Sequence, residues 1–384
     1  MKRRDFLQVI AALPVVCRAG AAPTSGERTL ILVYLKGGND GFNSVVPYRD
    51  PRYYTMRPHL AVPRDAVLAL SDSHGLNPAL EPLMPAWNAG ELALVQGIGL
   101  PDIHQQHYGD YERLVTGAGA GQYEASGWLT RAFDRNPAIA RGNLDAVAFG
   151  SLDTREHDGM GPFRGETRRV VQFPDPGEWL RLRRADACSH LATPGTEIFL
   201  RRLALSAPDL KTAFPSDPFG QAAQAAAELI AARRAPPVLH LAITGLDADQ
   251  HHACDTHIGQ LDYHPAALGR LAAGLAALRA ALIESGRWDD VMIATYDEFG
   301  RAPRENTEGG THHGWANTQF VLGGKVRGGF TGAAPALVHV HQIGGPEAVI
   351  DYRELYSTLV EKWFGGSASS VFERRFRPLD LLRA

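Results

Sequence analysis

The segment Thr29-Leu-Ile-Leu-Val-Tyr-Leu35 constrains the fold more than any other part of the chain. Its side chains do not alternate between polar and apolar, so a strand made from it has to be buried on both faces. It breaks off in Gly37-Gly38-Asn39-Asp40-Gly41. Shorter apolar runs at 92–95, 144–149, 238–244, 291–295 and 319–322 read as further buried strands. Helical patterns fall between them, at about 78–89, 197–205, 218–234 and 352–364. The longest, 261–285, carries Leu268, Leu271, Leu275, Leu278 and Leu282 at spacings of three and four. Strands alternating with helices predict an α/β fold, a mostly parallel central sheet with helices on both faces. Turn formers and charges over about 150–215 predict a small inserted cap region. No linker divides residues 28–384, which read as one domain.

The amino terminus reads as an address. Arg3-Arg4 precede Asp5-Phe6-Leu7, a short apolar run follows to Val16, and small residues lie at Ala19, Gly20, Ala21 and Ala22. This pattern predicts a twin-arginine signal peptide over residues 1–22, with the translocation machinery as partner and a periplasmic or secreted location. The run is too short for a membrane span, which takes about 20 residues. Val16 before Cys17 is a poor residue for lipoprotein processing. Cleavage would remove Lys2, Arg3, Arg4 and Arg18 against Asp5 alone, making the mature chain more acidic than the whole chain's net −3. That balance excludes the basic stripe expected of a nucleic-acid binder. No other run reads as an integral membrane segment. Two cysteines would remain, Cys188 and Cys254, and they make at most one disulfide.

Ligands of parallel α/β sheets bind beyond the carboxyl ends of the strands. Four acid or histidine clusters stand at such ends. Asp40 sits in GGNDG, which reads as a metal ligand or an Asx-turn; the loop lacks the GxGxxG spacing and the lysine of phosphate cradles. Asp255 and His257 follow the 238–244 run, with Asp247, Asp249 and His251 as a competing set upstream. Oxygen and imidazole donors there suit Zn, Mn or Fe. Asp297-Glu298 follow the 291–295 run and read as ligands, a base, or acids at a helix start. His312-His313 lie in a glycine-rich loop before 319–322. Adjacent residues of an extended segment point opposite ways, so His313 is expected in a site and His312 outside it. HExxH, CxxC and GxSxG are all absent from the chain.

The order of LKGGNDGFNSVVPY, HGLNPALEPLMPAWNAGELALVQGIGLP, DTHIGQ, EFGR, THHGWANTQFVLGGKVRGG and DYRELYSTLVEKWFG resembles a bacterial exported family, domain of unknown function 1501. That family looks like a branch of the alkaline phosphatase and sulfatase superfamily. The resemblance implies an alkaline phosphatase-like fold and two divalent metals, Zn, Mn or Ca, held by Asp40, Asp255, His257, Glu298 and His313. It also implies a small anionic ester as substrate, and His107 as a catalytic residue that orients it or shuttles a proton.

Two departures stand out. Gln106 occupies the place of a serine that precedes the match to His107, and His312 stands where many relatives have an aspartate. An amide cannot attack as a hydroxyl can. The sequence therefore supports a metal-dependent hydrolase of phosphate or sulfate esters and, as the alternative, a catalytically degenerate binding or assembly protein on the same fold. A metal-dependent oxidoreductase is a third reading, without a dinucleotide or haem motif behind it.

Overall fold

The computed structural model describes residues 28–140, 144–150, 161–165, 169–183, 207–243, 253–337 and 345–383. The first strand, Thr29–Leu35, is buried along its whole length. Its side chains divide by the two-residue period of a strand. Ile31, Val33 and Leu35 enter one hydrophobic core, while Leu30, Leu32 and Tyr34 enter another on the opposite face. A continuous apolar run is thus two half-sets, one for each layer of helices.

Among the described residues, nine strands form the main sheet. Thr29–Leu35 lies at its centre, parallel to Val238–Ile243 on one side and Val291–Tyr296 on the other. Beyond Val238–Ile243 come Ala146–Phe149 and then Val170–Phe173, both parallel. Part of the stretch expected as a cap therefore extends the main sheet. Beyond Val291–Tyr296 come Asn317–Leu322 and Leu92–Gly99, with Gly329–Gly332 and Ile350–Asp351 paired parallel to the latter. Asn317–Leu322 runs antiparallel to both of its neighbours. Its first residues consequently lie where the parallel strands end, and the chain just before it, including His313, is delivered to that edge.

One face of the sheet is covered by the helices Pro218–Ala231 and Gln260–Glu284. The second is long and apolar enough to cross a membrane by length and composition. Leu268, Leu271, Leu275, Leu278 and Leu282 are instead buried in the core, and each contributes about 1.5–3 kcal/mol of hydrophobic stabilisation. The other face carries His107–Thr116, Trp128–Arg135 and Tyr352–Ser357.

Four elements differ from the sequence expectation. The segment expected as a helix over 78–89 is a 3-10 helix, Pro78–Leu83, followed by a short α-helix, Met84–Asn88. Pro78, Pro82 and Pro85 each lack an amide donor, which limits a regular α-helix here. His107–Thr116 and Trp128–Arg135 were not expected; at 10 and 8 residues they are too short for the repeated apolar spacing that marks the longer helices. Tyr352–Ser357 continues as a π-helical turn, Thr358–Trp363. The helix expected over 197–205, together with Asp247, Asp249, His251, His252 and Cys188, lies outside the described residues. Cys254 is a buried free thiol.

Candidate metal centre

Space for the centre is made by glycine. Gly37 and Gly38 follow the first strand with φ of +100° and +82°, in the left-handed region that favours glycine. A Cβ on Gly37 would lie 2.6 Å from both Cβ and the backbone nitrogen of Asp255, and one on Gly38 would lie 2.5 Å from the Phe299 ring. The opening loop thus packs directly against the segment that carries Asp255 and His257.

His107, Asp255, His257 and His313 each offer a ligand atom, and these atoms all lie within 4.8 Å of one another. Among the described residues this is the one such group of His, Cys, Asp or Glu side chains. His257 Nε2 is 2.8 Å from His313 Nε2 and 3.1 Å from Asp255 Oδ1. His107 Nε2 is 3.5 Å from Asp255 Oδ2. His313 stacks on Phe299, with ring centroids 4.1 Å apart. The four side chains are partly exposed, so the centre opens to solvent.

A second layer orients the imidazoles. His107 Nδ1 is 2.8 Å from Glu298 Oε1, so it carries the proton and leaves Nε2 facing the cluster. Glu298 also accepts from the Gly37 amide and the Tyr34 hydroxyl, at 3.1 and 3.0 Å. Burial, with the Glu298 charge beside it, holds the Tyr34 hydroxyl well above its usual pKa, so it stays a donor. His313 Nδ1 donates to the Gln105 carbonyl at 2.7 Å, and Gln105 Nε2 donates back to the His313 carbonyl at 3.1 Å. Gln105 has φ +59°, an uncommon conformation for a non-glycine residue, and this double clamp holds it there. Asp255 Oδ1 accepts from the buried Arg301, whose guanidinium also bonds the carbonyls of Gly37, Gly38 and Thr311.

Electrostatics follow this geometry. Burial disfavours the Asp255 charge, but hydrogen bonds from His107 and His257 and the Arg301 charge outweigh it and hold the carboxyl far below its usual range. Burial alone would lower His107, yet its bonds to Asp255 and Glu298 raise it to about 9. His313 is lowered to about 3, by burial first and by the charge of Arg301, against the opposing Gln105 carbonyl. A neutral imidazole with Nδ1 protonated presents a lone pair on Nε2, the form a metal takes.

Asp255, His257, His313 and His107 are brought together. Two expected ligands are placed differently. Glu298 stands behind His107 and is 2% exposed, its oxygens occupied by His107, Gly37 and Tyr34. Asp40 is the N-cap of the helix Gly41–Ser44: Oδ1 accepts from the Phe42 and Asn43 amides, and Oδ2 accepts from Arg57 and Gln260. Asp297 is fully buried and accepts from Asn39, Asn317, Gln319 and Tyr352. Burial pushes its pKa up, as does Glu298, against those bonds. His312 is exposed while His313 turns into the cluster. Sequence reasoning did not single out Arg57, Gln105, Gln260 or Arg301. Arg301 and Gln260 do stand in the EFGR and DTHIGQ strings that carry the family resemblance.

Residues 203–362 match the family model described as Protein of unknown function (DUF1501). The matched region spans less than half of the chain. That region holds Asp255, His257, Glu298 and His313; Asp40 and His107 precede it. No curated protein matches the chain. Similar solved structures include a sulfatase from Pseudoalteromonas sp. at 10% identity and TM-score 0.44, covering 92% of this chain and 71% of that one. A phosphonate monoester hydrolase from Silicibacter pomeroyi is similar at 11% identity and TM-score 0.42, with coverage of 91% and 76%. A protein in the alkaline phosphatase superfamily from Vibrio parahaemolyticus is similar at 9% identity and TM-score 0.43, with coverage of 91% and 69%.

Proposed function

We propose that the protein is an exported metal-dependent hydrolase of phosphate or sulfate esters. The observation that carries this reading is the convergence of His107, Asp255, His257 and His313 at the carboxyl edge of the sheet, with Glu298 and Gln105 fixing two of the imidazoles. The donor set fits a divalent metal. Three imidazoles and one carboxylate suit Zn or Mn, whereas Ca takes six to eight oxygen ligands. A bound ion of this kind supplies Lewis acidity toward an anionic ester.

The chain's own residues supply the rest. Arg301 holds Asp255 in place from beneath, and its charge keeps that carboxylate ionised at neutral pH. Glu298 accepts from His107 Nδ1 and so turns Nε2 toward the cluster; with its pKa raised to about 9, His107 would give up the Nε2 proton on binding a metal. Gln106 is exposed, and its backbone amide donates to Asp110 at 2.9 Å. With no hydroxyl at that position, the proposed reaction is direct attack of water on the ester, releasing the alcohol and the phosphate or sulfate. Export rests on Arg3-Arg4 before Phe6-Leu7 and implies the twin-arginine machinery as partner.

The test is to strip the full chain with a chelator and restore Zn²⁺ or Mn²⁺. Bound metal and turnover of p-nitrophenyl phosphate or sulfate are then measured. Metal-dependent release of nitrophenol is expected. A chain that binds metal but turns over neither ester would leave the degenerate binding protein as the better reading.

A further inference from the structure

We infer that the centre takes a single metal ion per chain, because the buried guanidinium of Arg57 already supplies the cation beside Asp40. This rests on the metal-centre reading and deepens it. The family resemblance implies two metals, with Asp40 among their ligands. A second ion would need carboxylates with free lone pairs, and the three acids nearest in role are each committed elsewhere.

Asp40 is wholly buried and so is Arg57, with Arg57 NH1 2.6 Å from Asp40 Oδ2. Arg57 is held through all three of its nitrogens. NH1 also bonds Asn43 Oδ1 at 2.6 Å, Nε bonds the Pro303 carbonyl at 2.7 Å, and NH2 bonds the Ala302 carbonyl at 2.8 Å. Its guanidinium also faces the rings of Phe42 and Tyr53. A cation fixed this way cannot swing aside for a divalent ion without breaking its bonds to Asn43, Ala302 and Pro303. Like charges at close range in a buried site repel strongly, so ion and guanidinium would not share Asp40. Asp297 accepts from four side-chain or backbone donors and Glu298 from three. Among the described residues, what remains is the group of His107, Asp255, His257 and His313, whose ligand atoms lie close enough together for one ion.

The experiment counts ions. Full chain stripped by a chelator is dialysed against buffered micromolar Zn²⁺, and separately Mn²⁺, and bound metal per chain is measured by elemental analysis. One ion is expected in the wild type and in Asp40→Asn, with His313→Ala losing most of it at the same free metal. Two ions in the wild type would overturn the single-ion inference while leaving the metal-centre reading standing, and a fall from two to one in Asp40→Asn would identify Asp40 as a ligand. No ion in the wild type would overturn both. The wild-type count decides even if Asp40→Asn does not fold.

Discussion

Glu298 Oε1 lies 2.8 Å from His107 Nδ1, and that contact decides which nitrogen of His107 faces the centre. A carboxylate behind a ligating histidine fixes its tautomer and ring orientation, and losing such a partner typically costs about 10–100-fold in metal affinity. Glu298→Ala is therefore expected to weaken Zn²⁺ binding by about that factor. Glu298→Gln keeps a carbonyl oxygen for His107 and Gly37, and its amide can donate to the Tyr34 oxygen, so most of the affinity should survive. Calorimetric titration of the stripped proteins separates the two. Equal, large losses in both variants would make Glu298 a ligand after all.

His313 and His312 provide a paired control. His313 is held by Gln105 and faces His257, whereas His312 is exposed. A bound ion stabilises the folded chain by mass action, about 2.7 kcal/mol at a free concentration 100 times Kd. His313→Ala should lose bound metal and the metal-dependent rise in Tm together. His312→Ala should keep both. Thermal unfolding with and without Zn²⁺ reads the difference.

The central strand was legible because burial on both faces leaves an unbroken apolar run, Leu30 to Leu35, with nothing else to explain it. The leucine stripe of Gln260–Glu284 was legible for the same reason. Strand direction was not. Composition does not reveal that Asn317–Leu322 runs against its neighbours, yet this reversal is what delivers His313 to the edge where Asp255 stands. Within the site, residue types narrowed the choice but did not finish it. An acid after a buried strand can bind a metal, cap a helix or pair with arginine, and Asp40 does the last two because the chain brings Arg57 back to it. Nothing in the spelling of Arg57 signals that return.

His240 predicts an acid-side loss of stability unrelated to metal. It is fully buried on Val238–Ile243, bonded through Nε2 to the Tyr296 hydroxyl at 2.7 Å, and burial lowers its pKa to about 3. The unfolded chain binds this proton near pH 6.5 and the folded chain resists it. Stability from this group is therefore full above about pH 6.5 and is lost as pH falls toward 3, at up to about 1.4 kcal/mol per pH unit. His240→Gln keeps a polar partner for Tyr296 without titrating. Urea unfolding at pH 7.5 and pH 5 should show a smaller acid loss in the variant than in the wild type.

The export proposal has a direct check. Replacing Arg3-Arg4 with a lysine pair keeps the charge but removes the twin-arginine pattern. Cell fractionation should then find precursor retained in the cytoplasm. Unchanged export would remove the twin-arginine route.

Gly37 tests whether the opening loop shapes the centre or merely borders it. Its φ of +100° costs any L side chain some strain, and its Cβ would also land 2.6 Å from Asp255 Cβ. Gly286 separates these two effects. It has φ +65°, but no atom lies within 4 Å of where its Cβ would stand, so Gly286→Ala carries the backbone penalty alone, about 1–2 kcal/mol. Gly37→Ala must in addition push Asp255 away from His257 and Arg301, or drag the amide that donates to Glu298 with it. The expected outcome is a Tm loss in both variants but weakened Zn²⁺ binding in Gly37→Ala alone. Intact affinity in Gly37→Ala would mean that the loop can yield without moving Asp255, and that the close approach of the two segments serves packing rather than the ligand geometry.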